Sequence, residues 1–578
     1  MHDLVIRNGQ IVDGSGAAAV NGDLAIDGDR ITQVGGKAAA GQREIDAAGQ
    51  IVTPGFVDVH THYDGQATWD PYLTPSGWHG VTTIVMGNCG VGFAPARPDR
   101  HAWLIQLMEG VEDIPGSALA EGIKWDWESF PEYLDALEKF PRAVDIGTQV
   151  PHGAVRGYVM GDRGAANQNA TPTDIAAMAG IVEEALRAGA LGFTSSRTML
   201  HRAKDGQPVP GTFAGHEELI GIGRACARAG HGVFEIASDF AIGGMHGRFH
   251  EDIAWMRDLS QETGLPVSFI LAQASHNPTE WRDILQWTAA AVAAGANLRA
   301  QVAARPAGML LNFDNPMHPF KGHPTYLKVA ALPFAERIRI LSEPAMRAQL
   351  AGEQSALTGK FDSLFVTHFD NMYPLGDPPD YEPTADRSIS GIAVRERRAP
   401  QSVLLDAMLA KGGSDFIYYP IINYADASFE PIREMLLHPQ ALLSLSDGGA
   451  HCGVICDASS PTYMLTHWVR DRTRGPRLPL ELAVTLQTRA TAEAYGLYDR
   501  GLLAVGMRAD INVIDLKQLH LHAPEAVHDL PAAGRRLVQR VDGYKATVQG
   551  GKITYRDGVA TGALPGKLIR GPQADPRH

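Results

Sequence analysis

The hydrophobic and polar positions of the chain follow two rhythms, and the change between them divides the sequence. The first fifty residues hold short apolar runs separated by Asn-Gly, Asp-Gly and Gly-Gly pairs, as in NGDLAIDGDRITQVGG. Such pairs are typical of tight hairpin turns and predict an antiparallel sheet. The same texture returns after Gly496, in GLLAVGMRADINVID and YKATVQGGKITYRDG. We therefore expect one small β-sandwich domain built from residues 1–54 and 497–562, followed by an extended tail over 563–578.

Between these stretches, apolar runs alternate with helical patterns. The clearest unit is TPTDIAAMAGIVEEALRAGALGFTSS. In it Thr171 can cap a helix, Pro172 suits the first helical position, and Gly189 ends the helix before the next strand. The strand candidates are residues 56–59, 82–86, 143–149, 190–194, 232–236, 266–271, 364–367 and 442–446. Strands that alternate with helices in this way predict an α/β fold, a (β/α)8 TIM-like barrel over residues 55–496.

The predicted barrel is longer than the fold requires. A barrel of this type typically needs about 250 residues, so large insertions are expected. Residues 305–360 and 370–440 are rich in proline and lack the strand–helix rhythm, which places the insertions there.

The charge of the chain excludes some partners. Its 51 Lys and Arg against 65 Asp and Glu give a net charge of −14, without a basic run that could neutralise phosphates. Neither nucleic acid nor a membrane is therefore expected as a partner. Asp3 and Arg7 stand where a signal peptide would be apolar, and no apolar run approaches the roughly 20 residues of a membrane span. These features, together with only four cysteines, predict a cytoplasmic protein in a reducing compartment.

The first strand of the predicted barrel ends in two histidines. In FVDVHTHYD, His60 and His62 are two residues apart, so in an extended chain both side chains face the same space. The carboxyl end of a barrel strand is the catalytic end, and neutral imidazoles suit zinc and similar ions. The pair therefore predicts half of a metal site, although histidines bonded to backbone groups on a loop are the alternative.

Several segments of the chain resemble a known family. IDAAGQIVTPGFVDVHTH, preceded by NGQIVDGSG and followed far downstream by GLLAVGMRADINVID, is similar to the amidohydrolase superfamily of metal-dependent hydrolases. Within it, HTHYDGQATWDPYLTPSGWHGVTTIVMGNCGVGFAP, EDIPGSALAEGIKWDWESFPEYLDAL and GALGFTSSRT resemble the N-acyl-D-amino acid deacylases (D-aminoacylases). These include the deacylases of N-acyl-D-aspartate and N-acyl-D-glutamate. The resemblance spans nearly the whole chain and implies a barrel that hydrolyses an amide with a metal-activated water.

The resemblance implies two further site residues. Cys89, in GNCGVG, matches the cysteine that binds metal in those deacylases, and its thiolate would be a good zinc ligand. Its alternative role is that of a small buried residue. Asp447, in SLSDGGAH, matches the aspartate that binds metal and takes the proton of the attacking water. The alternative for Asp447 is a carboxylate that caps a turn.

The chain departs from the superfamily where the second metal is normally bound. The strands that usually each supply a histidine read GVFEIASDF and PVSFILAQ, in which Glu235 and Gln273 are the nearest polar residues. We therefore expect one tightly bound zinc ion held by His60, His62 and Asp447, with Cys89 on that ion or on a weak second one. Whether Glu235 replaces a missing histidine is left open.

Four more polar residues follow predicted strand ends. Arg197 could clamp a substrate carboxylate, and His152, His201 or His451 could donate to a carbonyl oxygen. Each could equally be a solvated loop residue. Cys226 is assigned to packing, and the C-x₃-C pair Cys452 and Cys456 lacks the second pair that a metal motif needs. The ligand assignment therefore stays with His60, His62, Cys89 and Asp447.

The sequence thus predicts a hydrolase of a linear amide, an N-acyl-D-amino acid deacylase-like enzyme. Its partner would be a small amide with a carboxylate, and the sequence is compatible with a homo-oligomer. Cyclic amide hydrolysis of the hydantoin or lactam type is the alternative reaction. A non-catalytic scaffold on the same fold is the alternative class, against which the set of four candidate ligands argues.

Overall fold

The computed structural model describes residues 1–241, 249–315, 317–356 and 368–577. In chain order, the first strands are β1 (His2–Ile11), β2 (Val20–Asp27), β3 (Arg30–Val34), β4 (Gly41–Asp46), β5 (Ile51–Pro54), β6 (Phe56–Asp58), β7 (Val81–Met86), β8 (Asp145–Thr148), β9 (Val150–Pro151), β10 (Gly192–Arg197), β11 (Val233–Ser238), β12 (Val267–Ile270) and β13 (Leu298–Val302). They are followed by β14 (Gly308–Leu311), β15 (Tyr373–Pro374), β16 (Ile417–Pro420), β17 (Ala441–Leu443), β18 (Ile511–Ile514), β19 (His520–Leu521), β20 (Glu525–Leu530), β21 (Gly534–Val538), β22 (Val541–Asp542), β23 (Tyr544–Gln549), β24 (Lys552–Arg556) and β25 (Val559–Ala560).

The α-helices of the described residues lie mostly between the strands from β7 onward. They are α1 (His101–Glu112), α2 (Gly116–Gly122), α3 (Phe130–Lys139), α4 (His152–Met160), α5 (Asp162–Ala165), α6 (Pro172–Ala188), α7 (His216–Ala229), α8 (Phe249–Thr263), α9 (Glu280–Ala293), α10 (Pro324–Leu327), α11 (Phe334–Leu341), α12 (Pro344–Gly352), α13 (Ile389–Glu396), α14 (Pro400–Gly413), α15 (Glu430–Leu436), α16 (Ser460–Tyr463), α17 (Leu480–Leu486) and α18 (Arg489–Ala494). A π-helix, Met464–Asp471, continues α16.

Helix α6 forms as its sequence predicts. Thr171 caps it, accepting from the backbone N–H of Asp174 while the Asp174 carboxylate bonds back to Thr171. Pro172 begins the helix and Gly189, at φ 120°, ends it. The local signals for this helix are therefore confirmed.

Strands from both ends of the chain form one sheet, in the order β25-β24-β23-β18-β5-β1-β2-β3 with β4 on β1. The two halves meet where β5 pairs antiparallel with β18, from Ile51 opposite Ile514 to Pro54 opposite Ile511. The sheet is mixed rather than purely antiparallel, because β4 and β5 both run parallel to β1. A buried apolar cluster that includes Ile6, Val513 and Val548 lies against it, so both halves share one core.

The predicted barrel strands form two parallel sheets. One has the order β6-β7-β8 and the other β17-β13-β12-β11-β10-β9. At one seam, β8 of the first sheet and β9 of the second are separated along the chain only by Gln149. At the other seam, a parallel bridge joins Thr61 to Gly448 beyond the ends of β6 and β17. The fold is thus mixed α/β with parallel strands, but within the described residues the hydrogen-bonded ladder is not one continuous ring.

The seam beside β8 is filled by the C-terminal tail. The N–H of Ile146 donates to Lys567 O at 3.0 Å, and the N–H of Ile569 donates to Ile146 O at 2.7 Å. The tail therefore lies along the edge of β8 at Ile146, whereas the Leu191 N–H, just before β10, donates to Thr148 O at 2.8 Å, and β10 itself pairs with β9. This explains in physical terms why the sheet divides here.

Strand β13 corrects the sequence prediction. It lies between β12 and β17, the place assigned to residues 364–367, and those residues lie outside the described parts of the chain. The strand was missed because its sequence, LRAQV, carries Arg299 and Gln301 and lacks the apolar run used to find the others. The insertion that follows has its own small antiparallel sheet, β14-β16-β15, and its own apolar cluster.

Candidate metal centre

Three predicted ligands converge where β6 and β7 end. His60 and His62 follow β6, and Cys89 follows β7 in a turn at which its φ is 57°. One ligand atom from each residue lies within 4.8 Å of the others, and all three side chains are buried. The Cys89 sulfur is 3.3 Å from His60 Nε2. Two imidazoles and a thiol at this separation are a donor set that suits zinc.

Asp447 lies against the same two histidines. Its Oδ1 is 3.6 Å from His60 Nε2 and 3.8 Å from His62 Nε2. The backbone joins the two loops as well, because the Asp447 N–H donates to His60 O and the His62 N–H donates to Gly448 O. The Asp447 side chain keeps 18% exposure, so it is the most open of the four candidate ligands.

Gln301 fixes the orientation of His60. His60 Nδ1 lies 2.7 Å from the Oε1 of Gln301, whose amide nitrogen donates to Ser268 Oγ at 2.7 Å. Ser444 donates to the same Oε1 at 3.1 Å. Because an amide oxygen only accepts, this network assigns the proton of His60 to Nδ1 and leaves Nε2 free to bind a metal.

Two buried carboxylates adjoin the cluster. Glu235, on β11, points inward and accepts the backbone N–H of Cys89 at 3.3 Å. Glu112, at the end of α1, places Oε1 3.4 Å from His62 Nδ1. Glu112 Oε1, Glu235 Oε1 and His62 Nδ1 are buried and have no hydrogen-bond partner among the described residues. Gln273, by contrast, turns away and donates to Asp426 at 2.7 Å.

The electrostatics of the cluster favour a bound cation. Burial raises the pKa of both Asp447 and Glu235 to about 8, and neighbouring carboxylates add to the effect. Burial, with the surrounding carboxylates, also raises the pKa of Glu112 and of the Cys89 thiol well above their usual values. Burial lowers the pKa of His60 to about 4, so the imidazoles are neutral and do not offset the acids. A divalent ion would stabilise every one of these anions, and with the unpartnered atoms it makes the residues a fit for a metal.

Two of the predicted substrate-binding histidines lie at the edge of the cluster. His451 Nε2 is 3.6 Å from Glu112 Oε2, and its side chain keeps 24% exposure. His201 shares a hydrogen bond with Ser196 Oγ at 3.0 Å. Burial lowers the pKa of His201 to about 3, and the charges of His451 and His60 contribute to the shift. Both histidines are therefore close enough to the candidate ligands to interact with them electrostatically.

The other two predicted substrate contacts are engaged by protein groups. Both ring nitrogens of His152 lie 2.8 Å from a partner, Nδ1 from Ser195 Oγ and Nε2 from Glu218 Oε1. His152 would have to give up one of these bonds to reach a substrate. Arg197, at the end of β10, donates to Ala214 O at 2.7 Å and lies over the Trp255 ring.

Sequence reasoning missed three residues of the cluster. Gln301 lies on the strand that was not predicted, and Glu112 lies far from the histidines in sequence. Asp64 is buried directly beyond His62, with its Oδ2 accepting the Gly87 N–H at 3.2 Å. The signals were present, since Asp64 is in HTHYD and Glu112 begins EDIPG, but neither motif indicates which side chain faces the cluster.

The other three cysteines were not predicted to be metal ligands. Cys226, Cys452 and Cys456 are buried free thiols, and burial raises their pKa values to about 12. Among the helices that the structure describes, none is long and apolar enough to cross a membrane. A cytoplasmic location stays a prediction.

Comparison with known proteins agrees with the geometry. The model of the amidohydrolase family matches residues 43–555. The chain belongs to the amidohydrolase family. An uncharacterised protein of Mycobacterium tuberculosis is 27% identical over 599 residues, covering 96% of this chain and 92% of that one.

Two solved structures of this family share the fold. A D-aminoacylase described for its binuclear metal centre is 23% identical, with a TM-score of 0.64 over 99% of this chain and 100% of that one. The N-acyl-D-glutamate deacylase of Bordetella bronchiseptica, complexed with zinc and a phosphonate inhibitor, is 22% identical, with a TM-score of 0.65 and the same coverage. The resemblance predicted from the sequence is confirmed, and the chain is a hydrolase of the class that acts on carbon–nitrogen bonds.

Proposed function

We propose that the protein is a metal-dependent deacylase of N-acyl-D-amino acids, which cleaves a linear amide to a carboxylate and an amine. The observation that carries the proposal is the convergence of His60, His62, Cys89 and Asp447 in a chain with the fold of such deacylases. The two parallel sheets are, on this proposal, the two arcs of one (β/α)8 barrel. Their seams lie beside the tail and at the bridge between Thr61 and Gly448.

The four candidate ligands would hold a divalent ion, which supplies Lewis acidity towards a carbonyl oxygen and acidifies a water molecule. Asp447 is the general base, because its carboxylate lies beside both histidines and keeps access to solvent. It accepts a proton from the attacking water and passes it to the leaving nitrogen, since an amine leaves readily only when it is protonated.

The substrate is held by residues at the rim of the cluster. His201 donates a hydrogen bond to the carbonyl oxygen of the scissile amide, His451 contacts the substrate beside it, and the guanidinium of Arg197 binds the carboxylate of the amino acid. Arg197 keeps free donors for this role, because its one described hydrogen bond uses Nη1. His152 supports this rim through Ser195 rather than by direct contact.

One tightly bound zinc ion is proposed per chain. Strands β11 and β12 supply no histidine, and the inward side chain of Glu235 is the group that could replace one. A single carboxylate compensates poorly for two imidazoles, so a second ion would be weak.

The proposal is tested by metal analysis together with a substrate screen. Dialysed protein is expected to retain about one zinc ion per chain and to hydrolyse N-acyl-D-amino acids in preference to their L-forms and to hydantoins. His60→Ala and His62→Ala should lose both the metal and the activity, while Cys226→Ala, a buried thiol outside the cluster, should retain both. A protein that turns over only hydantoins would replace the proposal by cyclic amide hydrolysis. A protein with neither metal nor activity would favour a scaffold.

A further inference from the structure

Glu112 occupies a position that is costly for a carboxylate. It is 1% exposed and is the last residue of α1, where the partial negative charge of the helix end disfavours an anion. In the described parts of the chain no Lys or Arg pairs with it, and the neighbouring carboxylates include Asp447, Asp64 and Glu235. Packing would be served better by an apolar residue. A buried carboxylate at the C-terminal end of a helix is expected only where its side chain has a functional role.

In the described parts of the chain, the ion-pair contacts of the Glu112 carboxylate are with two histidines of the site. Its Oε1 lies 3.4 Å from His62 Nδ1, and neither atom has a hydrogen-bond partner within the part of the chain that the structure describes. Its Oε2 lies 3.6 Å from His451 Nε2. The backbone N–H of His451 also donates to Glu112 O. The end of α1 and the loop of His451 are therefore joined by a backbone hydrogen bond as well as by the side-chain contact.

The side of His62 that faces Glu112 is not the side that faces the cluster. His62 Nε2 is the nitrogen beside Asp447, at 3.8 Å, whereas Nδ1, on the other side of the ring, is the nitrogen beside Glu112. The same division holds at His60, where Nε2 faces Cys89 and Nδ1 is bonded to Gln301. A carboxylate at Nδ1 is therefore placed to orient the ring, not to share the ion that Nε2 would bind.

We propose that Glu112 is a positioning residue that accepts a hydrogen bond from His62 Nδ1 on one oxygen and from His451 Nε2 on the other. This rests on the proposed function, since it assigns His62 to the metal and His451 to the substrate. Glu112 fixes the tautomer of His62 and sets the distance between the metal and the substrate-binding histidine. The two separations of 3.4 and 3.6 Å shorten to ordinary hydrogen bonds when the site is filled.

Replacement by glutamine tests this role, because Glu112→Gln retains the shape but offers only one acceptor atom. The metal dissociation constant is measured by competition with a chelator, and kcat and KM are measured at saturating zinc. The variant is expected to bind zinc about 10- to 100-fold more weakly than the parent. At saturating zinc its KM should still be raised, since His451 has lost its acceptor.

Two further variants separate positioning from a structural effect. Glu109→Gln removes a carboxylate from the same helix, where Glu109 pairs with Lys204 at the surface, and should leave both measurements unchanged. Glu112→Asp keeps the buried charge but withdraws it by one methylene, and it should also weaken zinc binding. Glu112→Asp decides the question if Glu112→Gln does not fold.

The outcomes distinguish this inference from the proposed function. Parental zinc affinity and parental KM in the Glu112 variants would overturn the role of Glu112 while leaving the deacylase proposal intact. A parent protein that binds no zinc would overturn both. The parent protein could bind zinc without cleaving N-acyl-D-amino acids. Weaker zinc binding by the Glu112 variants would then support the role of Glu112 at His62 and reject only the assigned substrate.

Discussion

Residues of the candidate metal centre adopt backbone conformations that side chains usually avoid. Cys89, Asp447 and His451 have φ values of 57°, 47° and 50°. A non-glycine residue in this region costs on the order of 1–3 kcal/mol when the surroundings must impose it, and such residues cluster at functional sites. The chain turns sharply after β7 and β17 at these points, which directs the thiol and the carboxylate back towards His60. The strained backbone conformations of Cys89 and Asp447 are thus associated with the direction in which their side chains point.

At this scale the first prediction concerns Gln301. Gln301→Leu should lower zinc affinity about 10- to 100-fold, because His60 Nδ1 loses its acceptor and the ring is no longer held with Nε2 inward. The measurement is chelator competition on the purified variant. Gln273→Leu is the matched control, since Gln273 is also a buried glutamine after a neighbouring strand but bonds to Asp426. Equal affinity in the two variants would contradict the role of Gln301.

The second prediction concerns Asp447. Asp447→Asn should retain much of its zinc but lose about 10²- to 10⁴-fold in kcat, because an amide cannot accept the proton of the attacking water. Metal content and steady-state rates are measured on the same preparation. A variant within tenfold of the parent rate would exclude Asp447 as the base.

At the scale of elements, one ion cluster joins the insertion to the chain that follows β17. Glu382, from the insertion, lies 2.9 Å from His467 Nε2 and 3.1 Å from Arg472 Nη2, and the Glu382 and Arg472 side chains are almost fully buried. Burial opposes ionisation of Glu382, but the hydrogen bonds from His467 and Arg472 outweigh it and lower its pKa to about 2. The insertion is therefore anchored by a charge that must stay ionised.

The third prediction follows from that pKa. Glu382→Gln should lower the free energy of unfolding by about 3 kcal/mol at pH 7, since it removes the buried carboxylate partner of the Arg472 guanidinium and leaves only the partly exposed Glu430 beside it. Because the folded pKa lies below the ordinary value of 4.5, the stabilisation is complete above pH 4.5 and is lost as pH falls towards 2. Urea unfolding of parent and variant over this range should show the difference shrinking.

Glu430→Gln provides the control for that experiment. Glu430 also pairs with Arg472, at 2.8 Å, but its side chain is 37% exposed. Because the Glu430 carboxylate is partly exposed to solvent, its loss should cost less than the loss of the buried Glu382 carboxylate at pH 7. A difference at Glu382 that does not depend on pH, or that is no larger than at Glu430, would contradict the prediction.

Particular elements show how far the sequence could be read. Helix α6 was predicted from Thr171, Pro172 and Gly189 because caps act locally, and His60, His62 and Cys89 were found because their motifs are local as well. Strand β13 was missed because Gln301 faces the site rather than an apolar core, and Arg299 donates to Pro439 O near the surface. Glu112 and Gln301 were missed for a related reason, since only the tertiary fold brings the side chains of α1 and β13 to the histidines that follow β6.

At the scale of the whole molecule, the C-terminal segment holds the strand β8 from two directions. Arg500 and Arg508 pair with the buried carboxylate of Asp145 at 2.8 and 3.1 Å. The tail then donates to the same carboxylate from the backbone N–H of Lys567 at 2.7 Å and runs along the strand to Ile569, which is buried. The last residues are thus part of the parallel sheet rather than an extension of the terminal β-sheet.

The fourth prediction is that truncation after Ala563 destabilises the protein. It would leave the N–H of Ile146 unpaired in a buried strand, at about 1–3 kcal/mol, and remove the buried side chain of Ile569. A fall in melting temperature of several degrees is expected, measured on the metal-free protein so that zinc binding does not contribute. Truncation after Gln573 should have little effect, because the described residues that it removes, 574–577, are exposed or half-buried. Equal melting temperatures for the two truncations would contradict the role of the tail.

The position of the tail has a consequence for biosynthesis. The edge of β8 is completed by residues that the ribosome makes more than four hundred positions later, so the nascent chain carries an unpaired strand edge through most of its translation. Unpaired edges recruit other strands and promote aggregation. We expect the demand for chaperones to be greatest just before Ile569 emerges, and a premature stop between codons 564 and 569 to yield insoluble protein even though every candidate ligand has been made.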